Sequence, residues 1–443
     1  MAIILRNMAQ VSLPEEHKLE VLSMYVHDSK SGDSIRNYKY NNGVAYLPLN
    51  SRKLHRVAQL LGEELVDERS NGENPSENYV VNPAFVFREH QTQPSHALLD
   101  FCLNNNYAVL EAPCSCGKTV VMTWVAGMLN RKILILVDMG SLQSQWKEAF
   151  QIVWKKEATI LDRTSRVFGD VCIATFQLLH FNPELVAAVK KEFGVLVLDE
   201  AHTTQSDTRR EVLMKMNNKY RLACSATMIK KNYSDDVLTD MIADISVRMV
   251  DNKALKAEVY FVPTTTKFYS NDPDNWGKTT SKLGKDGLRN KYIADLVADL
   301  CRAGRKIAVI CVTIESCEAV AATLLNICPE CKLRVYIGST NLKQDQALRE
   351  DLASGMINTV ITVKKLEKGV DLPSLDCLVL AKPANNEAFV VQIAGRIVRP
   401  LEGKPTPVIY DLVDKGELSQ RFAYNRGRWY KKLGYSVQKS IDN

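Results

Sequence analysis

The sequence predicts an α/β protein: two doubly wound parallel-sheet domains in tandem, behind a small N-terminal α/β accessory domain. Two observations carry this. Short, wholly apolar runs recur at helix-length intervals from about residue 87, and a strand apolar on both faces belongs to a parallel sheet covered by helices. The 443 residues also leave room for about three units of roughly 150 residues, each large enough to bury a core.

Residues 1–86 stand apart. Apolar stretches at Val44–Leu49 and Leu54–Leu61 alternate with polar segments such as Asp28–Asn42. Ser70-Asn-Gly-Glu-Asn-Pro-Ser-Glu-Asn78 is rich in turn formers and predicts a linker or long loop. The first parallel sheet is expected within residues 87–247, from the runs Tyr107–Leu110, Ile133–Val137, Val171–Ala174 and Val195–Leu198. The second is expected within residues 248–443, from Ile307–Ile310, Leu333–Tyr336, Thr359–Thr362 and Cys377–Leu380. Between them the polar, turn-rich stretch Asn271–Lys278 predicts an exposed loop.

Composition narrows the class. Lys and Arg number 57 against 51 Asp and Glu, and the formal charge of +6 permits a nucleic-acid partner without arguing for one. With 46% hydrophobic and 24% charged residues, the chain is neither disordered nor collagen-like. No apolar run approaches the roughly 20 residues of a membrane span, and the start turns polar at Asn7, without the apolar stretch of a signal peptide. The eleven cysteines, an odd number, fit a reducing compartment, so a cytoplasmic location is expected. Cys328-Pro-Glu-Cys331 has the spacing of a metal-ligand pair but no second pair downstream, and reads as two thiols near a helix-to-strand loop.

Three stretches carry chemistry. Ala112-Pro-Cys-Ser-Cys-Gly-Lys-Thr119 follows the strand Tyr107–Leu110 and opens a helix-like run, Val120–Leu129, the setting of a phosphate-binding loop. Backbone N–H groups of Ala112, Pro113's successors Cys114, Ser115 and Cys116, and Gly117 would cradle phosphates at the helix N-terminus. Lys118 would reach the β- and γ-phosphates of ATP, and the Thr119 hydroxyl would ligate Mg²⁺; Ala112 stands where the first glycine of the pattern is usual. Asp199-Glu-Ala-His202 ends the buried strand Val195–Leu198, which puts two acids at the mouth of a parallel sheet. Asp199 is placed to hold Mg²⁺ and Glu200 to orient and deprotonate an attacking water. Gln392-Ile-Ala-Gly-Arg-Ile-Val-Arg399 sets Arg396 and Arg399 one helical turn apart, hence on one face, able to grip a triphosphate.

In this order the three stretches resemble the superfamily 2 helicases, and further motifs agree. Phe87-Arg-Glu-His-Gln91 resembles the family's entry motif, which implies that Gln91 reads the adenine edge and Arg88 frames the base. Leu142-Gln-Ser-Gln-Trp146 resembles motif Ia, with Asp138 and Met139 where a Pro-Thr or Pro-Ser pair is usual. Thr175-Phe-Gln177 resembles the motif that follows, Ser225-Ala-Thr227 matches motif III, and Gly369-Val-Asp-Leu-Pro373 matches the end of motif V. The resemblance covers about residues 87–415 and is closest to small viral and phage members of the DEAH type, such as the UvsW branch-migration helicases. It implies RecA-like domains, Gly369 and Asp371 near the nucleotide, Gln392, Arg396 and Arg399 in catalysis, and His202, Ser225 and Thr227 as coupling residues. Nucleic-acid contacts are implied at Gln145, Thr175 and Thr362, the last one place before the motif's usual threonine position. After Arg421 basic residues interleave with aromatics, so Arg426 and Arg428 are added as nucleic-acid contacts, although Phe422, Arg426 and Trp429 also have the spacing of a helix core.

The implied activity is that of an ATP-dependent DNA helicase or translocase that unwinds duplexes and migrates branched junctions in replication, recombination or repair. Its partners would be single-stranded, duplex and branched DNA, with no membrane, and the chain is expected to act as a monomer. An RNA helicase or transcript-release motor is the second reading, because no motif distinguishes DNA from RNA. A non-catalytic binding module is the third, and the joint presence of Lys118, Glu200 and Arg399 opposes it.

Overall fold

A computed structural model describes residues 2–28, 34–113, 116–138, 140–163, 167–226, 239–250, 255–268, 276–338, 342–364, 366 and 372–438. The chain divides into two compact units, residues 1–251 and 252–443.

The first unit is built on seven strands. Their order is Thr159–Ile160, Val171–Thr175, Ile133–Val137, Val195–Leu198, Tyr220–Ser225, Tyr107–Glu111 and Val247–Arg248, and every neighbouring pair is parallel. Ile133, Ile135 and Val137 pack into one core while Leu134 and Leu136 pack into another on the opposite face. That two-sided burial is why the run is apolar at every position. Tyr220–Ser225 escapes the apolar pattern because it carries Arg221, whose guanidinium is buried and donates to the Met216 carbonyl at 2.7 Å. The helix expected at Val120–Leu129 spans Lys118–Met128 and starts directly from Gly117.

The second unit repeats the plan. Its sheet runs Leu333–Val335, Thr359–Thr362, Ile307–Ile310, Cys377–Leu380, Val408–Lys415, Glu258–Lys267 and Ser436–Gln438, all parallel. Ala308 and Ile310 face one core, Ile307 and Val309 the other. The strand Val408–Lys415 carries two buried acids on opposite faces, being an odd number of residues apart. Asp411 accepts hydrogen bonds from Arg426 Nε at 2.8 Å, Arg426 Nη2 at 2.6 Å and the Tyr430 hydroxyl at 3.0 Å. Asp414 accepts from Arg289 Nε at 2.8 Å and Nη2 at 3.1 Å. One strand is therefore clamped from both sides, by the helix Glu417–Lys432 and by the helix Gly287–Arg302. Of the loop expected at Asn271–Lys278, residues 271–275 lie outside the described residues, and Trp276 already opens the helix Trp276–Gly284.

The N-terminal α/β part is a mixed five-stranded sheet in the order Lys39–Asn41, Val44–Leu47, Ala9–Ser12, Ala2–Leu5 and Glu64–Asp67. It packs on the helices Glu15–Ser23 and Ser51–Leu61 around Ile3, Val11, Tyr25, Leu47, Leu54 and Val57. The second helix is closed at both ends: the Asn50 side chain accepts from the Lys53 N–H at 2.9 Å, and Gly62 adopts a left-handed conformation beyond its last turn.

The stretch from Ser70 that predicts a linker is a strap on the parallel-sheet domain. Glu73 N–H donates to the Glu192 carbonyl at 2.8 Å, Lys132 N–H donates to the Glu73 carbonyl at 3.2 Å, and Asn82 N–H donates to the Val153 carbonyl at 2.8 Å. Gly72 and Gly194 make this approach feasible, since a Cβ on Gly72 would strike Gly194 N and one on Gly194 would strike the Asn71 carbonyl.

The same N-terminal part is anchored at a second place by a buried acid. Asp240, fully enclosed, meets His27 Nε2 at 2.6 Å, Lys53 Nζ at 2.6 Å and Asn37 Nδ2 at 3.2 Å, all three from the first 53 residues. Beside it Asn50 Nδ2 donates to the Thr239 carbonyl at 2.8 Å, Arg210 donates to Asn37 Oδ1 at 3.0 Å, and Asn7 donates to the Met214 carbonyl at 2.7 Å. These contacts explain why the N-terminal sheet falls within the same compact unit as the first parallel sheet.

Candidate active site

The site begins where the strand Tyr107–Glu111 hands over to the helix Lys118–Met128. Gly117 has φ +78°, a conformation that L side chains rarely adopt, and a Cβ there would run into Gln91 Nε2. Gln91 is itself buried at the start of the helix Glu89–Asn105. Its Nε2 donates to the Cys116 carbonyl at 2.9 Å, and its Oε1 accepts from the Arg88 N–H at 3.0 Å. His90 Nε2 lies 3.1 Å from the same carbonyl. The residues expected at the adenine base therefore brace the loop that precedes the helix. Next to Gly117 a cavity of about 340 Å³ is lined by Phe85, Val86, Arg88, Gln91, Val120 and Ile152. Asn82 also lines it, and apolar walls with one cation and two amides suit a flat heteroaromatic ring.

At the C-terminal end of Val195–Leu198 lies the acidic pair. Burial pushes the Asp199 carboxyl above its ordinary range, repulsion from Glu200 adds to the rise, and the Trp146 N–H and the Lys118 charge oppose it. Trp146 Nε1 donates to Asp199 Oδ2 at 2.9 Å, while the Glu200 N–H donates to Oδ1 at 2.9 Å. A desolvated carboxylate beside a second acid favours cations, and Asp199 and Thr119 offer the hard oxygens that Mg²⁺ takes. Among the described residues no group of three or more His, Cys, Asp or Glu is arranged to hold a metal, so the remaining ligands of such an ion would be water and phosphate oxygens. Glu200 has φ +48°, and its Oε2 lies 3.2 Å from His202 Nδ1, which also lies 2.8 Å from the Ser225 hydroxyl. Ser225 ends its strand against the phosphate loop, its carbonyl accepting from the Ala112 N–H at 3.0 Å. Glu200, His202 and Ser225 thus lie in a row of polar contacts from the acidic pair to the end of that strand.

Comparison with known proteins fits this geometry. Residues 84–230 match the family described as Type III restriction enzyme, res subunit, and residues 289–400 match the helicase conserved C-terminal domain. The chain belongs to the superfamily 2 helicases. Among curated relatives, this helicase is 22% identical over 378 residues to "Probable helicase D10" of Escherichia phage T5, covering 84% of this chain and 80% of that one. It is 22% identical to "DNA 3'-5' helicase XPB" of Kineococcus radiotolerans, covering 81% and 65% of the two chains. It is 23% identical to "Transcript termination protein A18" of fowlpox virus, covering 74% and 76%. Of solved structures, the DNA-bound Type ISP restriction-modification enzyme LlaBIII superposes with a TM-score of 0.61 at 17% identity, over 82% of this chain and 32% of that one. Mycobacterium smegmatis helicase Lhr, bound to single-stranded DNA and AMP-PNP, superposes with a TM-score of 0.56 at 14% identity, over 80% and 51%. These likenesses establish the fold, two RecA-like parallel-sheet domains.

Within the helicase several expected residues take other places. Gln145, expected on nucleic acid, donates from Nε2 to Thr119 Oγ1 at 3.0 Å, so it serves the phosphate loop. Thr175 caps the helix Phe176–His180, accepting from the Leu178 N–H at 3.1 Å. Thr362 is fully enclosed at the end of its strand and offers no surface to a phosphate. Arg426 is fully buried against Asp411 and the Ala384 carbonyl, which removes it from the expected nucleic-acid surface; Arg428, two residues on, is exposed. Gln392 and Arg396 lie on the helix Glu387–Ile397, with Arg396 Nε donating to the Leu366 carbonyl at 3.2 Å. Arg399 is past that helix, whose last turn ends at Ile397, so the two arginines do not share a helical face. Pro400 accounts for this, because the residue before a proline is driven out of the helical region. Lys404 pins the segment instead, donating to the Arg399 carbonyl at 3.0 Å and the Pro373 carbonyl at 2.8 Å. Cys114, Ser115, Thr227, Gly369 and Asp371 lie outside the described residues.

The reading of the sequence overlooked Trp146. Its indole is fully buried, and a buried indole N–H demands an acceptor, which here is the Asp199 carboxylate. No described helix is long and apolar enough to cross a membrane. The ten described cysteines are free thiols, Cys328 and Cys331 among them.

Proposed function

We propose that this helicase is an ATP-driven DNA translocase of the DEAH type that unwinds duplexes and remodels branched junctions. The observation that carries the reading is the polar chain Glu200–His202–Ser225, because it connects the base of a hydrolytic site to the end of a neighbouring strand. In this reading Lys118 steadies the β- and γ-phosphates and Glu200 takes the proton of the attacking water. Thr119 and Asp199 would hold Mg²⁺, which when bound neutralises charge on the phosphate oxygens. Trp146 and Gln145 fix the orientation of those two ligands by direct hydrogen bonds. His202, whose Nδ1 faces both Glu200 and the Ser225 hydroxyl, would couple the position of Glu200 to the end of that neighbouring strand. The resemblance to the family implies that Gln392, Arg396 and Arg399 take part in hydrolysis. The preference for DNA rests on the printed names of the bacterial relative and of the two DNA-bound structures. The junction activity, the place in recombination or repair, the monomeric state and the cytoplasmic site of action rest on the resemblance to small phage enzymes. A transcript-releasing motor is the second reading, favoured by the fowlpox relative's name.

The test is ATPase rate without nucleic acid and with single-stranded DNA, a four-way DNA junction or RNA. Stimulation strongest with the junction is expected, together with loss of turnover in Lys118→Ala. Equal rates in all conditions would remove the motor reading, and a preference for RNA would hand it to the second. Trp146→Phe keeps the ring and deletes the donor, so it should raise the Mg²⁺ concentration for half-maximal ATPase by about tenfold or more. An unchanged Mg²⁺ titration in a folded Trp146→Phe protein would sink the orienting role.

A further inference from the structure

The burial of Arg426 leaves the outer face of its helix unaccounted for. Glu417–Lys432 buries Phe422, Ala423, Arg426 and Tyr430 and turns Arg421, Tyr424, Arg428 and Lys431 outward. The outward four sit at i, i+3, i+7 and i+10, which is one stripe along a helix. Tyr424 is 70% exposed, an unusual cost for an aromatic with nothing to pack on. Between this stripe and the sheet lies a cleft of about 410 Å³, floored by Phe261, Pro263 and Val413 and rimmed by Tyr424, Arg428 and Lys431. Among the described residues no carboxylate lines it. Gly427 sits over the floor, within van der Waals reach of the Phe261 ring. The buried Arg426–Asp411 pair and the Tyr430 hydroxyl hold the helix still on its other face.

We infer that this cleft is a binding site for single-stranded nucleic acid, separate from the nucleotide site; the inference rests on the chain being a nucleic-acid motor. Three features select that occupant. An apolar floor with one exposed ring offers a stacking face to a base, and in a duplex such faces are already taken. Two cations and no acid along the described rim match a polyanion, whereas an apolar peptide would leave both cations idle. Tyr424 to Lys431 spans about 10 Å at 1.5 Å per residue, the reach of roughly two or three stacked nucleotides at 3.4 Å each. Nothing in the cleft is shaped to read base edges, so binding is independent of sequence.

Fluorescence anisotropy with the full chain tests this, using a labelled oligo-dT, the matching oligo-rU and a blunt DNA duplex. Tyr424→Ala should weaken oligo-dT binding about tenfold and duplex binding far less, and Tyr424→Phe should restore it. Arg428→Ala with Lys431→Ala should reduce the slope of log affinity against log salt by about 0.7 for each phosphate no longer neutralised. All three positions are on the surface, and a thermal melt confirms that each variant folds. If the unaltered protein binds oligo-dT and none of the variants changes affinity or slope, the cleft is not the site, while the motor reading stands. Failure of the unaltered protein to bind any nucleic acid removes the motor reading and this inference with it. A shift of oligomeric state in the variants, without loss of oligo-dT binding, assigns the cleft to a second copy and overturns the inference.

Discussion

Glu200→Gln is expected to bind ATP almost as well as the unaltered protein and to hydrolyse it about a thousandfold more slowly. The backbone at Glu200, with φ +48°, aims this side chain whatever its chemistry, and the amide keeps the shape of the acid. It keeps its place beside His202, whose Nδ1 lies 3.2 Å from Glu200 Oε2. What it loses is the capacity to accept a proton from water, an effect worth about 10²–10⁴ in rate. Lys118, assigned to the phosphates, and Thr119, assigned to Mg²⁺, are untouched. Equilibrium binding of a fluorescent ATP analogue and single-turnover hydrolysis separate the two effects. A variant that keeps more than about a tenth of the rate would dismiss Glu200 as the base. The loss of one charge beside Asp199 has a side effect of known sign: it relieves the repulsion that helps hold that carboxyl high.

Arg426→Ala should cost the second unit about 3–5 kcal/mol, enough to unfold many domains. The loss comes from Asp411, left sealed from water without the two guanidinium bonds at 2.8 and 2.6 Å. Urea titration followed by tryptophan fluorescence measures it. The pair Arg426→Met with Asp411→Leu supplies the control, since apolar replacement of both partners should recover most of the loss. A single-variant cost below about 1 kcal/mol would mean that the pair is wetter than its enclosure implies. The contrast with Arg428 is informative: two arginines two positions apart, on either side of Gly427, have opposite duties, one structural and one turned to solvent.

The buried strands and the phosphate loop were legible because their physics is local. A run such as Ile133–Val137 has to be apolar throughout when both faces are covered, and Gly117 has to lack a side chain where φ is +78°. Strands with a buried charge were not legible as strands. Tyr220–Ser225 hides Arg221, and Val408–Lys415 hides Asp411 and Asp414, whose partners are fixed only by tertiary packing. The acidic pair could be read from two adjacent residues, but its orientation depends on Trp146, 53 residues away. The Gln145 contact with Thr119 is not legible from motif position, because a neighbour across the helices is invisible in a linear pattern. The same helical period suited both a nucleic-acid surface and a core at Arg426, and only the facing Asp411 decides between them.

Asp240 gives the N-terminal sheet a single seat. A greasy interface tolerates slippage, because one apolar contact is worth nearly as much as the next. An acid in the dark does not: sliding the sheet by one residue would strand it from His27, Lys53 and Asn37 together. The sheet is thus keyed like a gear tooth to the segment that begins at Thr239, and to the Asp207–Lys215 helix through Arg210. Any displacement of those pieces during turnover is carried outward undiminished, as the swing of a rigid arm rather than the give of a cushion.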